Sequence, residues 1–462
     1  MNIYLETMGC QMNRLDSELL VSRLCAAGHE IVDDPAHADA VLYNTCSVRQ
    51  HAEQKVLSRL GADGQRKQAG LKLIVGVLGC MAQRTGQELR KRYPQVDIVC
   101  GPGQLTRLPE LLTAADKGQA SVAIDPDRKH QPRPTGCEEI DDMDLARDPS
   151  RSSSPSQAFV RVMRGCDKFC TYCIVPYLRG PEISRRPDRI VEETRRLVQA
   201  GRSEITLLGQ TVNSYRWQAG ELSVRFSDLL AKLSAIPGLR RLRFVTSHPV
   251  DFGDDIFHAM ADLQNVCPYL HCPAQSGSDA VLKRMGRRYT RADYDGLIDR
   301  ASEIVPDVSI AGDFIVGFPG ETEADHQASI DLIRRTRYKN SFIFKYSPRP
   351  GTAAAERFID DVDDATKKSR NNELLAVQNE ISLVNHRRMI GSTVEVLVEG
   401  PSPRADRQPD APPPGQTQLI GRTVGDHIVV FNAPDGLTGQ YVDVTITGAT
   451  ALTLFGRHAE NQ

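Results

Sequence analysis

The sequence predicts an α/β protein of three parts: an N-terminal parallel α/β domain, a central incomplete (βα)6 barrel and a small C-terminal all-β barrel. Three observations carry this. Short apolar runs alternate with helical stretches over about residues 1–118 and again over 158–385. A polar stretch rich in Pro and Ser, 126–157, lies between them without helical or strand periodicity and reads as a linker. Beyond residue 386 the rhythm changes to short β-like runs punctuated by glycine. At 462 residues the chain is too long for one ordinary core. The expected boundaries are 1–118, a linker over 119–151, 152–385 and 386–457.

In the first part, NIYLET, DAVLYNT and LKLIVGVLG read as strands, and DSELLVSRLCAAG and QHAEQKVLSRLGA as helices. Each of these strands ends just before a cysteine: Cys10 in ETMGCQMN, Cys46 in YNTCSVR and Cys80 in VLGCMAQR. The carboxyl ends of parallel strands share one edge, where ligands collect, so three cysteines far apart in the chain become neighbours. A single cysteine is more often a small buried hydrophobe, but three at the same strand-end position point to a shared site. Cys137, in the linker, reads as incidental, and Cys25, Cys100, Cys267 and Cys272 as structural.

The barrel strands are read from FVRVMR, EITLLGQ, LRFVTSHP, YLHCPAQSGS, VSIAGDFIVGFPGE and SFIFKYSPRPGT. Each ends in a glycine or a polar cluster, the position at which such barrels carry their chemistry. Gly209 and Gln210 end the second strand, Gln275 and Ser276 the fourth, Gly317 and Gly320 the fifth, and Arg349 the sixth. Glycine allows close backbone approach and amides suit adenosine or carboxylate groups; simple βα turns use the same residues. In the last part TVEVLVEG, DHIVVFNA, GQYVDVTITGAT and ALTLFGR read as strands, and the Pro-rich stretch 401–416 as a disordered loop tip.

Composition narrows the class. No apolar run approaches the roughly 18 residues of a membrane span, so a soluble chain with no membrane partner is expected. MNIYLETMGC lacks a basic region followed by an apolar one, which suggests a cytoplasmic address. In that compartment eleven cysteines do not form a disulfide framework, and clustered thiols bind metal or do redox chemistry. A net charge of −2 gives no global sign of nucleic-acid affinity. The basic stretches SRRPDR, KRMGRRYTR and RRTRYK can contact phosphates or form an ordinary solvated face.

The most specific signal is GCDKFCTYC, which places Cys166, Cys170 and Cys173 just after the first barrel strand. Zinc closes a structural site with four protein ligands, and no further Cys or His follows until His248, at a different strand end. A [4Fe–4S] cluster takes one cysteine per iron, so three cysteines leave one iron open to a small molecule. Phe169 and Tyr172 flank these ligands and suit either packing or shielding of a bound group.

This spacing and context resemble the radical S-adenosylmethionine (SAM) superfamily. The resemblance implies that the open iron binds the amino and carboxylate groups of SAM, whose reductive cleavage yields a 5′-deoxyadenosyl radical. Gly209, Gln210, Gln275, Ser276, Gly317, Gly320 and Arg349 are then the residues expected near SAM or substrate. ETMGCQMN, NTCSVR and GCMAQR look like the N-terminal domain of methylthiotransferases, which implies a second [4Fe–4S] cluster on Cys10, Cys46 and Cys80. The β segment looks like a TRAM domain, although residues 392–457 carry four Lys and Arg against seven Asp and Glu.

MRGCDKFCTYCIVPYLRGPEISR, LLGQTVNSY and QSGSDAVLKRMGRRYT look most like the MiaB-type branch of the tRNA methylthiotransferases. That branch implies sulfur insertion and methylation at C2 of N6-isopentenyladenosine in tRNA position 37, with an electron donor and a sulfur source as further partners. Two alternatives stay open: methylthiolation of a ribosomal-protein aspartate, against which DKFCTYCIVPYLRG argues, and a non-catalytic metal-containing RNA-binding protein.

Overall fold

The computed structural model describes residues 1–47, 50–126, 138–152, 154–403, 413 and 415–459. Cys137 and most of the 401–416 loop lie outside the described residues. Six parallel strands open the chain: β1 (Asn2–Met8), β2 (Glu30–Ile31), β3 (Ala40–Thr45), β4 (Ile74–Gly79), β5 (Ile98–Cys100) and β6 (Ser121–Ala123). They pair in the order β2-β1-β3-β4-β5-β6. Every residue of β3 and β4 is buried, as in strands covered on both faces. Leu42 and Leu78 pack with Leu15 and Leu19 of helix Gln11–Ala26, and Val41 and Val75 with Val56 and Leu60 of helix Gln50–Gln68.

The central strands are β7 (Gln157–Arg161), β10 (Glu204–Leu208), β13 (Arg241–Phe244), β14 (Tyr269–His271), β15 (Ser309–Val316) and β16 (Asn340–Lys345). Between them lie two small ribbons, β8 (Met163–Arg164) with β9 (Ile183–Ser184) and β11 (Arg216–Ala219) with β12 (Leu222–Arg225). The main strands run parallel as β7-β10-β13 and β14-β15-β16, and a Leu242–Val266 bridge joins the two halves. β7 and β16 form the edges, so the barrel is open between them. Outward residues such as Val160, Leu207, Phe244 and Phe314 form the largest core with the surrounding helices.

The C-terminal part is a closed barrel of β17 (Thr393–Pro401), β18 (Thr417–Thr423), β19 (Ile428–Ala433), β20 (Tyr441–Ala449) and β21 (Leu454–His458). β18 has no counterpart among the strands read from the sequence, because the Pro-rich stretch before it masks its start. This barrel covers the amino-terminal ends of the central strands. Arg241 and Arg243 of β13 donate to the carbonyls of Arg422, Thr423 and Val424, and Lys339 pairs with Asp426 at 2.8 Å.

A correction concerns the segment read as a structureless linker. Residues Glu138–Leu145 form a helix, followed by a short 3-10 turn at Pro149–Arg151. Its apolar period is weak because charge holds it. Arg185 pairs with Asp141 at 2.5 Å and with Asp144 at 2.9 Å, Arg161 with Asp144 at 2.5 Å, and Arg147 with Glu18. Arg161 also reaches Asp16 of the N-terminal domain at 3.0 Å. Removing one partner of a buried pair strands the other charge. Arg161→Ala is expected to cost about 3–5 kcal/mol, read as a lower urea midpoint together with faster proteolysis around residue 140.

Candidate active site

The N-terminal site follows from register. Met8, Thr45 and Gly79 stand in one row across β1, β3 and β4, so Cys10, Cys46 and Cys80 emerge side by side. A Cβ on Gly9 would come within 2.7 Å of the Cys46 Cβ, which explains the glycine before Cys10. Cys10 caps helix Gln11–Ala26 and Cys80 opens helix Cys80–Arg92, positions where the helix dipole favours a thiolate. A hydrogen bond from Cys46 lowers the Cys10 pKa to about 5 against the effect of burial, and Arg179 adds to the drop. Burial instead pushes the Cys80 thiol up, with Arg179 opposing it. Arg179 is buried and donates to Asp16 at 3.0 Å.

The second site is the loop after β8. Gly165 has φ +74°, and a Cβ there would lie 1.8 Å from the Pro181 carbonyl oxygen. Its neighbours fix the loop: Cys166 N donates to Gly180 O at 3.1 Å, and Thr171 N to Met285 O at 2.8 Å. Asp167 N donates to Glu182, which also accepts from Thr211 and Ser214. Burial pushes the Cys166 thiol up to about 11 and Cys173 to about 12. Arg287, buried, donates to Cys170 Sγ at 3.5 Å.

The two sites touch. The helix Val175–Arg179 follows Cys173 directly; its Leu178, together with Ile174, packs on Cys80, and Arg179 at its end reaches the Cys10 and Cys80 side. The helix that follows the Cys166 loop therefore packs directly on the N-terminal cysteine side.

Residues 2–101 match the Uncharacterized protein family UPF0004, residues 160–333 the Radical SAM superfamily and residues 387–458 the TRAM domain. Over 457 residues the chain is 48% identical to the tRNA-2-methylthio-N(6)-dimethylallyladenosine synthase of Rhodopirellula baltica, covering 98% of this chain and 95% of that one. It is 41% identical over 465 residues to the synthase of the same name from Porphyromonas gingivalis, covering 99% and 95%. The chain belongs to the tRNA-2-methylthio-N(6)-dimethylallyladenosine synthase family. In fold it is similar to the radical SAM methyltransferase TsrM of Kitasatospora setae solved with cobalamin and a [4Fe–4S] cluster bound. The TM-score is 0.55 at 15% identity, covering 77% of this chain and 74% of that one.

The donor sets fit the clusters that this family of synthases uses. Among the described residues, no three His, Cys, Asp or Glu side chains converge closely enough to hold a single metal ion. In a cubane each cysteine binds a different iron, so three cysteine ligands need not converge on one ion. A buried cation beside each set, Arg179 and Arg287, offsets the negative charge of the thiolates.

The remaining sequence-predicted residues divide. Gln210 carries an Oε1 that is buried without a hydrogen-bond partner, which suits a bound polar ligand. Gln275, beyond β14 and bridged to Phe314 of β15, adopts φ +70°, a strained conformation of the kind that collects at functional sites. Gly209 packs against Met163, and the Arg349 carbonyl caps the turn at Thr352. The surroundings of Ser276, Gly317 and Gly320 are the chain itself: Ser276 Oγ meets Ser329 Oγ and Ser278 N, while Cβ atoms on the two glycines would strike Lys367 and Arg284.

Phe169 is 44% exposed in an edge contact with Tyr177, whereas Tyr172 packs beside Phe318 and Tyr346. Many cations of the basic stretches are paired within the chain, among them Arg185, Arg189, Arg291, Arg335 and Lys339. Cys100, Cys267 and Cys272 are buried, with thiols pushed up by burial to about 12, 11 and 12, so they are inert.

Sequence reasoning missed Arg179, Glu182, Arg287 and His248. The only signal for the first two is their place in YLRGPEIS directly after the cysteine loop. Burial and the nearby Arg287 and Lys168 bring the His248 pKa down to about 2, so the ring is neutral. Its Nδ1 accepts from Val250 N, which leaves the proton on Nε2. Gly165→Ala is expected to disrupt the Cys166 loop alone and to remove about four of about eight irons per chain, measured by iron and sulfide analysis of reconstituted protein.

Proposed function

We infer that this chain methylthiolates C2 of N6-isopentenyladenosine at tRNA position 37, with SAM and two [4Fe–4S] clusters as cofactors. The observation that carries this reading is the contact between the two three-cysteine sets, through Cys80, Ile174 and Leu178, in a chain similar end to end to synthases named for that product. We propose Cys166, Cys170 and Cys173 as the ligands of one cluster and Cys10, Cys46 and Cys80 as those of the other. When bound, the clusters and SAM supply the sulfur, the methyl group and the radical chemistry.

The chain's own residues bind, orient and exclude water. Arg287 donates to Cys170 from a buried position and holds negative charge on that side of the loop. Glu182 anchors the loop through Asp167 N on one side and Thr211 and Ser214 on the other. Arg179 bridges Asp16 and the N-terminal cysteines, so the two ligand sets keep one relative position. Of the strand-end residues, Gly209, Gln210, Gln275 and Arg349 remain our choices for contacts to SAM or substrate. Ser276, Gly317 and Gly320 shape the turns that carry them.

The TRAM domain matched by residues 387–458 supports tRNA as the macromolecular partner. An electron donor and a sulfur source complete the reaction as partners. We place the protein in the cytoplasm, whose reducing conditions keep cysteine ligands available; no helix among the described residues is long and apolar enough to cross a membrane.

Cys170→Ala is expected to abolish SAM cleavage, because a ligand of the SAM-binding cluster is lost. Cys46→Ala is expected to keep SAM cleavage and to lose the methylthio product. Chromatographic detection of 5′-deoxyadenosine and mass spectrometry of tRNA nucleosides read the two outcomes. SAM cleavage by Cys170→Ala at the wild-type rate would refute the ligand assignment, and an unchanged level of the methylthiolated nucleoside in cells lacking the protein would refute the function.

A further inference from the structure

The inward faces of the barrel strands are divided among three users. The N-terminal domain occupies part of them: Phe159, Leu208 and Val245 join its core, and Arg161 pairs with Asp16. The C-terminal barrel takes Arg241 and Arg243 at the opposite end. What remains is the inner surface of β14, β15 and β16, on the open side of the barrel.

Register defines that surface. Asp313 of β15 stands opposite Phe342 of β16, and Ile315 opposite Phe344. The alternate residues face outward: Phe314 lies in the main core against Tyr338, and Ile343 packs on that core with its carbonyl bonded to Asn371. Since successive side chains of a strand point to opposite faces, Phe342 and Phe344 point inward. They are 51% and 45% exposed, two large aromatic side chains side by side on an edge strand.

The polar neighbour of this wall is preset. Thr246, at φ +70°, donates its N–H to His271 Nδ1 at 3.4 Å, which leaves the ring proton on Nε2, facing Asp313 Oδ1 at 3.4 Å. The Asp313 carboxylate is thereby held as an acceptor beside Phe342. Ile315 continues the surface toward the cysteine loop, because it packs on the cluster that contains Tyr172, between Cys170 and Cys173.

We propose that Phe342 and Phe344 form the apolar wall that receives the dimethylallyl arm of the substrate base, and that Asp313, held by His271, accepts the N6–H at the root of that arm. The inference rests on the functional reading above. An isopentenylated adenine presents one N–H donor next to a five-carbon apolar arm, and the wall presents one acceptor next to two aromatic faces. Unmodified adenine also carries N6–H donors, so the two phenylalanines and not Asp313 are what separate modified from unmodified tRNA.

The test measures binding of two anticodon stem-loop RNAs, one with isopentenyladenosine and one with adenosine at position 37, to the reconstituted full chain by fluorescence anisotropy, together with kcat and KM for the modified RNA. The wild type is expected to prefer the modified RNA. F342A/F344A is expected to lose about 10-fold or more of that preference, through KM, while its affinity for the unmodified RNA stays. F342L/F344L, which keeps the wall apolar, is expected to recover most of the preference. Asp313→Ala is expected to weaken both RNAs.

If the double alanine variant fails to load iron, the single variants F342A and F344A decide the question by the same ratio. A wild type that discriminates and alanine variants that discriminate equally overturn the proposal alone. A wild type that binds both RNAs equally overturns the functional reading and the proposal with it. Unchanged binding by Asp313→Ala removes that residue from the assignment.

Discussion

The carboxylate of Asp16 is 1% exposed and receives two guanidiniums from the barrel, Arg161 and Arg179, each at 3.0 Å. The rest of the site depends on this buried junction. Asp16 lies in the helix that Cys10 caps, and Arg179 ends the helix that follows Cys173. Asp16 thus ties the helix that starts at the N-terminal cysteine side to the helix that follows the Cys166 loop. Ion pairs shut away from water add little to net stability compared with apolar packing, but they are specific, since any other docking would strand a charge. A reaction that needs two metal clusters over one substrate requires that kind of positional specificity more than it requires extra stability.

The same logic runs through the domain junctions. The helix Glu138–Leu145 is clamped by Arg185 and Arg161, and the C-terminal barrel is held at the opposite end of the strands by Arg241, Arg243 and Lys339. Cations that seem available for RNA in the sequence are consumed in this way. Arg161, Arg179, Arg241 and Arg243 are among the arginines that hold domains together, whereas Arg189, Arg291 and Arg335 pair within the barrel segment.

Of the six non-glycine residues at positive φ among the described residues, three lie near the candidate site and three, Asp307, Arg337 and Asp426, elsewhere. Phe169, Thr246 and Gln275 adopt left-handed backbone conformations at the cysteine loop and at two strand ends. Each costs of order 1–3 kcal/mol, and such conformations persist only where the surrounding structure enforces them. Here the enforcement is visible: Thr246 N is held by His271, and Gln275 N bonds to Asp313 O at 2.7 Å.

The sequence alone determined the division into parts, the parallel order of the first sheet's chemistry and the two cysteine sets, because apolar period and Cys spacing are local signals. The nearness of Cys10, Cys46 and Cys80 was legible since strand ends of a parallel sheet share an edge. Arg179, Arg287, Glu182 and the helix at 138–145 were not legible, for the partner of each lies far away in the chain and a charge in a sequence carries no sign of its burial. The tertiary structure alone decided that Ser276 Oγ meets Ser329 and Ser278 and that Phe342 and Phe344 stand exposed on the edge strand β16. Strand alternation says only that neighbouring side chains point to opposite faces; which face meets helices and which meets a cavity is set by what packs against the sheet.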